Sequence, residues 1–390
     1  MDTKTLHRAD FARFDLNRVP SPCFVVNEVA IERNLKILAQ VAEASGARIL
    51  SALKAFSMYS VAPLVRQYLS GTCASGIYEA RLGREEYGGE VTTYCAGYKA
   101  ADMPDILRLS DHVIFNSPSQ HRRFTAQVAE ARAAGETVSL GLRINPEHSE
   151  GWTEKYDPAA PCSRLGTPIS KLSPEDWDGI DGLHMHTLCE QGFEPLKRTW
   201  AALEPKITDI LPRLKWLNLG GGHHITQPDY DREGLIAFVR DLRARFDVDV
   251  YLEPGEAVAI NSGILVGEIL DVTENTMPLA ITDISATCHM PDVLEAPYRP
   301  DLLGEVDDKD PHRLGGPSCL AGDVIGDYRF ATPPEVGQRF AFFDQSHYSM
   351  VKTNTFNGVP LPAIALWNSD TDVLRILRRP AYEDFKERLS

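Results

Sequence analysis

Long apolar runs are missing from this chain. Nothing in its 390 residues approaches the length needed to cross a bilayer. The opening Met1-Asp2-Thr3-Lys4 lacks the apolar core of a signal peptide. Cysteine is sparse, and its seven residues are odd in number and scattered, which argues against a disulfide framework. These absences lead to the expectation of a protein of the reducing cytoplasm. Positive charge is also in deficit: 40 Lys and Arg stand against 55 Asp and Glu, a formal net charge of −15. That balance disfavours nucleic acid and anionic membranes as partners, and it is compatible with a cationic substrate.

What is present is ordinary for a soluble globular protein. Hydrophobic residues make up 43% and charged residues 24%, enough to bury a sizeable core. The length suits two domains, or one large barrel with an appendage. Cys23-Phe24-Val25-Val26 reads as a short strand, and Asn27 as the cap of a helix over 28–44. An apolar strand followed by a helical stretch then recurs. The strands end near Leu53, Ala74, Tyr94, Phe115, Arg143, Met185, Leu219 and Leu252. Helical stretches include 117–134, 194–211 and 230–246. Eight strands alternating with helices predict a parallel (β/α)8 TIM-like barrel, with an open doubly wound sheet as the alternative. After residue 260 the texture turns all-β, with strands over 264–272, 279–284 and 340–343 and turns rich in Pro, Gly and Asp. The expected organisation is an N-terminal segment 1–27 pairing with the later sheet, a barrel over 28–262, and a C-terminal β domain over 263–390.

The residues just after the strand ends would share one face of such a barrel, the face that carries the site. They are Lys54, Ser75, Asn116, Asn145, His186, Gly220 to Gly222 and Glu253. Lys54 closes the apolar run Ile49-Leu50-Ser51-Ala52-Leu53. A desolvated lysine has a depressed pKa, and its free amine can form a Schiff base with an aldehyde. Alone, the stretch reads more readily as a snorkelling strand-end lysine, its stem packed and its head wet. Gly220-Gly221-Gly222 lets the backbone approach a ligand and aims N–H groups at an anion, typically a phosphate. Glu253, fixed by Pro254-Gly255, can pair with a protonated ring nitrogen. His184 and His186 alternate onto one face of a strand. They can bind metal together with His223, His224 and Glu253, or one can stack on a flat cofactor and the other sit satisfied in the core. Gly316-Pro317-Ser318-Cys319-Leu320-Ala321-Gly322-Asp323 and Ser346-His347-Tyr348 are weaker signals.

Taken in order, these pieces resemble the fold-type III pyridoxal-phosphate decarboxylases, the alanine-racemase-like group that includes the ornithine, arginine and diaminopimelate enzymes. The matching residues are Ala52-Leu53-Lys54, Cys73-Ala74-Ser75, Arg143-Ile144-Asn145, Ser163-Arg164-Leu165-Gly166, Met185-His186, Gly220-Gly221-Gly222, Glu253-Pro254-Gly255, Cys319 with Asp323, and Tyr348 with Thr355-Phe356-Asn357-Gly358. Lys155-Tyr156-Asp157-Pro158, His184–Glu190 and Ala286–Glu295 are similar to the branch acting on carboxylated triamines, carboxynorspermidine and carboxyspermidine. Many relatives have arginine after the Glu-Pro-Gly turn. Here Glu256 stands there, which suits a polyamine nitrogen better than a phosphate.

The resemblance implies a set of roles. Lys54 holds pyridoxal 5'-phosphate, and His186 stacks on its ring. Glu253 keeps the ring nitrogen protonated. Ser75, Gly221, Gly222, Gly255 and Tyr348 serve the cofactor, with the glycine amides and a helix N-terminus meeting its phosphate. Cys319 donates a proton in the site of the other subunit of a homodimer. Glu256 and Asp292, with Asp323 behind them, receive the cationic nitrogens of a small carboxylated polyamine. No metal is expected. Three rivals remain: a sister decarboxylase for diaminopimelate, ornithine or arginine; a metal-dependent barrel hydrolase built on His184 and His186; and a catalytically silent homologue that binds a partner protein.

Overall fold

The computed structural model describes residues 3–151 and 154–390. The Met1-Asp2 opening lies outside them. The chain divides into two compact units, one comprising residues 34–258 and the other 1–33 with 259–390.

The first unit is a barrel. After β1 (Cys23–Asn27), which belongs to the other unit, come β2 (Arg48–Ala52), β3 (Gly71–Ala74), β4 (Glu90–Tyr94), β5 (His112–Phe115) and β6 (Ser139–Asn145). The short β7 (Thr167–Pro168) pairs only at the end of β6. Then follow β8 (Gly182–His184), β9 (Trp216–Asn218) and β10 (Asp249–Leu252). Eight of these run parallel in the order β5-β4-β3-β2-β10-β9-β8-β6, and β5 pairs with β6 to close the ring. Closure decides between the two sheet architectures read from the sequence. The strands end within two residues of the positions the apolar runs predict. They are buried on both faces, which is why they read as continuous apolar runs rather than alternating ones.

One end of the barrel is plugged by aromatic rings. Trp216 stacks on His112 with centroids 4.9 Å apart and planes 6° apart. Gly141 and Gly182, paired across β6 and β8, leave room for that indole, since a Cβ at either position would overlap its ring. Arg48 donates to the Tyr251 hydroxyl at 3.1 Å and pairs with Glu90 beneath the plug.

The second unit is a mostly antiparallel sheet. Its later strands are β11 (Gly263–Asn275), β12 (Met277–Thr282), β13 (His312–Gly315), β14 (Val324–Tyr328), β15 (Arg339–Phe343), β16 (Ala363–Asn368) and β17 (Val373–Arg378). The order is β14-β13-β12-β11-β1-β16-β17, with β15 on β11. β1 pairs antiparallel with β11, Val25 opposite Ile264, and parallel with β16, Val25 opposite Ala365. Successive side chains point to opposite faces. Phe24 and Leu265 therefore join one core with Ile284, Leu314 and Phe342, while Val25, Ile264 and Val266 join another with Phe11, Ala341 and Trp367. A helix at Thr3–Phe11, not foreseen from the sequence, supplies Phe11 and the fully buried His7 to this unit. Among the described residues no helix is long and apolar enough to cross a membrane.

Candidate active site

The C-terminal ends of the barrel strands bring together residues spread over two hundred positions. Lys54 follows β2, and its Nζ lies 3.4 Å from His186 Nε2. The side chain is open to solvent through the mouth of the barrel, yet protein surrounds it on its other sides. Burial lowers the pKa of this amine, and the Arg143 guanidinium pushes the same way. Water still reaches it from the mouth, so a molecule filling the mouth completes the desolvation.

His186 is oriented from behind. The Gly221 N–H donates to its Nδ1 at 3.0 Å. Nδ1 is thus an acceptor, and the neutral ring carries its proton on Nε2, facing Lys54. Burial pushes the His186 pKa well below its usual value, with Lys54 and Arg143 adding to the effect. Glycine is required here on steric grounds. A Cβ at Gly220 would press on the His186 ring, one at Gly221 would overlap the Glu253 carbonyl oxygen, and one at Gly222 would overlap that of Leu188. Gly220 and Gly222 also have positive φ, 70° and 82°.

Glu253 follows β10. Its backbone N–H donates to the Gly220 carbonyl at 2.8 Å, tying the two glycine-bearing turns together. Its Oε1 accepts from Asn218 Nδ2 at 2.7 Å and its Oε2 from His184 Nε2 at 3.2 Å. Burial alone would raise the pKa of this carboxyl, but His184 and Asn218 outweigh it and hold the group ionised. His184 is fully buried, its own pKa is lowered by burial, and its ring stacks on Tyr94 at 5.4 Å. Arg143 lies over the other part of this cluster, 4.4 Å from the Tyr94 ring centre, and donates to the His186 carbonyl at 3.1 Å.

Asn116 binds the Ser163–Gly166 loop to the strand ends. Its Oδ1 accepts from the Tyr94 hydroxyl and from Gly166 N–H, both at 2.7 Å. Asn145 accepts from Glu147 N–H at 2.9 Å. Ser75 is exposed, with its N–H donated to Glu79 Oε2 at 2.6 Å, and it borders an open cavity of about 380 Å³ lined also by Tyr78, Cys95 and Lys99. Gly255 packs against Ala52 and Ala55, where a Cβ would crowd both methyls. Glu256 Oε2 lies 3.3 Å from His224 Nε2.

Four expected residues belong to the sheet unit. Cys319 is exposed on the loop between β13 and β14. Tyr348 is half-buried beside the His347 ring. Asp292 pairs with Lys352 Nζ at 2.5 Å, which Glu295 also approaches at 3.0 Å. Asp323, expected behind the substrate-binding carboxylates, is engaged by several donors. It is buried and accepts from Ser285 Oγ at 2.9 Å, Thr287 N–H at 3.2 Å and Ser318 N–H at 3.3 Å. Ser318 belongs to the same loop, whereas Ser285 and Thr287 lie more than thirty residues earlier, so the carboxylate ties this loop to another part of the sheet unit. Gly221 likewise differs from a simple phosphate donor, because His186 takes its N–H.

The two histidines read as a possible metal pair do other work here: His184 holds Glu253, and His186 receives Gly221. Among the described residues no group of three or more His, Cys, Asp or Glu side chains could hold a metal ion. Sequence reasoning assigned no role to Asn218, Arg143 or Tyr94. The available signal was a polar residue inside an apolar strand, as in Leu217-Asn218-Leu219 and Leu142-Arg143-Ile144.

Comparison with known proteins agrees with this geometry. Residues 23–346 match the family model described as pyridoxal-dependent decarboxylase, C-terminal sheet domain. The chain is 40% identical over 380 residues to carboxyaminopropylagmatine decarboxylase of Synechocystis, covering 96% of both chains. It is 36% identical to carboxynorspermidine/carboxyspermidine decarboxylase of Campylobacter jejuni, covering 95% of this chain and 99% of that one. The crystal structure of carboxynorspermidine decarboxylase from Campylobacter jejuni, complexed with norspermidine, superposes with a TM-score of 0.86 at 35% identity, covering 95% of this chain and all of that one. Diaminopimelate decarboxylase from Helicobacter pylori, at 16% identity and a TM-score of 0.81, shares the fold. A lysine amine lowered by burial, a carboxylate kept ionised across from it and a side-chain-free glycine cradle thus sit on a barrel whose sequence and shape both match, and the chain belongs to the pyridoxal-dependent decarboxylases of the ornithine, diaminopimelate and arginine family.

Proposed function

We propose that this chain removes the carboxylate of carboxynorspermidine, carboxyspermidine or both, in polyamine biosynthesis. The observation that carries this reading is near-full-length similarity, at 36% identity, to an enzyme named for those two substrates. Glu256, in place of the arginine found after the Glu-Pro-Gly turn in many relatives, supports a cationic substrate.

Pyridoxal phosphate fits the residues present. It supplies, when bound, the electron sink for the pair left by departing carbon dioxide. Lys54, its pKa lowered by burial, would hold the cofactor through its neutral amine. His186, held by Gly221, presents a ring face beside that amine. Glu253, kept ionised by His184 and Asn218, holds a proton on the ring nitrogen. Gly222, Gly255, Ser75 and Tyr348 serve the phosphate, and Gly221 gives the room for close approach. Cys319 delivers the proton that replaces the carboxylate, acting on the site of a second copy in a homodimer. Glu256 and Asp292 receive the substrate's nitrogens, in competition with His224 and Lys352. A reducing cytoplasm suits the exposed Cys319 thiol.

A second reading is favoured by the 40% identical relative: carboxyaminopropylagmatine, which ends in a guanidinium rather than an ammonium. Steady-state kinetics on the two carboxylated triamines, carboxyaminopropylagmatine and diaminopimelate test both. The proposal expects the highest kcat/KM on a triamine. Preference for the guanidinium compound would support the second reading, and turnover of diaminopimelate alone would contradict both. The two triamines differ by one methylene, which is worth only about 1–3 kcal/mol in a pocket, so both are expected to turn over.

A further inference from the structure

Cys319 sits in a loop closed at its base by backbone bonds, Gly316 N–H to the Asp323 carbonyl at 2.8 Å and Asp323 N–H to the Leu320 carbonyl at 2.9 Å. Cys319, Leu320, Ala321 and Gly322 are all exposed, and Gly316-Pro317 precedes them. Two side chains restrain the backbone at its tip, Asn357 from a distant turn and Asp323 from the end of the same loop. The Cys319 N–H donates to Asn357 Oδ1 at 2.8 Å, across 38 residues of sequence. The Ser318 N–H donates to Asp323 Oδ2 at 3.3 Å. Both restraints are anchored on the short helix Ala286–His289. Asp323 reaches it through Thr287 N–H and, just before it, Ser285 Oγ. The turn that carries Asn357 reaches it through Asn354, whose N–H donates to the Cys288 carbonyl at 3.0 Å and whose Nδ2 donates to the Thr287 carbonyl at 2.9 Å. Asn357 itself has φ 59° and ψ 11°, a left-handed conformation that asparagine tolerates better than most residues.

We propose that Asn357 is a positioning residue for the Cys319 thiol. By holding the Cys319 N–H it fixes the residue from its backbone and leaves Sγ projecting toward solvent, aimed for proton delivery. This rests on Cys319 being the proton donor proposed above. In a productive turnover the bond between the carboxylate and the amine-bearing carbon breaks and carbon dioxide leaves. The remaining electron pair takes the Sγ proton at that carbon, and a primary amine results. If the thiol is misplaced, the pair takes a proton at the cofactor's aldehyde-derived carbon instead. Water then releases the substrate as an aldehyde, oxidised at that carbon, and leaves the cofactor reduced to its amine form. Loss of positioning therefore reads out as a change of product, which a merely structural loss would not give.

The experiment uses the full-length holoenzyme and carboxynorspermidine. Asn357→Gly keeps the left-handed turn and removes the acceptor, whereas Asn357→Asp restores an acceptor oxygen. Cofactor absorbance and carbon dioxide release in the first turnover are expected to persist in Asn357→Gly. The ratio of aldehyde to norspermidine should rise at least about tenfold, since small misplacements of a reacting group carry penalties of that order or more. Asn357→Asp should bring the ratio most of the way back. A wild-type ratio in Asn357→Gly, or equal damage in both variants, overturns the inference. Cys319→Ala, run in parallel, separates the two levels. If it too gives a wild-type ratio, the donor assignment fails; if it yields aldehyde while Asn357→Gly does not, only the positioning role fails. Should Asn357→Gly not fold, the ratio in Asn357→Ser decides on the same terms.

Discussion

Glu253→Gln keeps the volume of the side chain and removes its charge. In the native pocket both neighbours donate to it, Asn218 at 2.7 Å and His184 at 3.2 Å. A glutamine can accept from only one of them with its single oxygen. If the oxygen stays with Asn218, the new NH2 group meets His184 Nε2–H, donor against donor. The alternative is for His184 to move its proton to Nδ1, a buried nitrogen without a hydrogen-bond partner in the native pocket. The first outcome loses one hydrogen bond to a charged group, about 1.5–3 kcal/mol, and the second leaves a buried N–H without an acceptor, about 1–3 kcal/mol. The same loss, falling on the step where the cofactor ring carries most charge, slows turnover roughly 10- to 150-fold. The assays are urea unfolding of the apoprotein and steady-state kinetics of the holoenzyme. The midpoint should fall, kcat should drop by at least about tenfold, and KM should change little, because the interaction matters most after substrate has bound. A kcat within twofold of the native value would refute the role given to this carboxylate. An unchanged midpoint would refute the hydrogen-bond arithmetic. The lowered pKa of Glu253 adds a pH signature: its stabilisation is present above the unfolded value of about 4.3 and is lost as pH falls through the lower folded value.

Other expectations follow from the same geometry. His7, His223 and His289 are each pushed down to about 4, chiefly by burial, whereas unfolded histidine titrates near 6.5. The unfolded chain therefore binds the extra protons between about pH 6.5 and 4, and stability falls as pH drops through that window. The slope is about 1.4 kcal/mol per pH unit for each histidine, or about 4 kcal/mol if all three are released together. Urea midpoints measured from pH 7 to 5 check this, and a flat profile would contradict it. Gly221→Ala sets a methyl against the Glu253 carbonyl oxygen, a backbone atom that cannot swing aside. Strain of about 1–3 kcal/mol should weaken cofactor binding roughly 5- to 150-fold in an equilibrium titration, with the fold retained. Native-like cofactor affinity would show that the cradle has slack.

The barrel was legible because its strands are buried on both sides. Each appears as a short apolar run with a polar or small residue at its end, and the chemistry follows that end. Lys54, His186 and Glu253 stand just past such ends, and Lys54 meets His186 there. Their supports were harder to read. His184 looked like a satisfied core histidine, and it is one, but its partner proves to be Glu253 from two strands away. Asn218, Tyr94 and Arg143 come from different strands, and no local pattern links them. Asp323 was legible as a neighbour of Cys319 but not as the group that orders its loop, since its donors Ser285 and Thr287 lie more than thirty residues earlier. The helix Thr3–Phe11 was missed because its sequence is largely polar. It is held by Phe11, packed with Phe14 and Trp367, and by His7 edge-on to Phe343, contacts that exist only in the folded chain.

The proposed chemistry depends on the bond between Lys54 and the vitamin B6 aldehyde. Borohydride reduction of the cofactor-loaded enzyme, followed by peptide mapping, measures it directly. One pyridoxyl group per chain on the Lys54 peptide, absent in Lys54→Ala, is the predicted result. A fully loaded enzyme that carries no label there, or carries it on another lysine, would contradict the account.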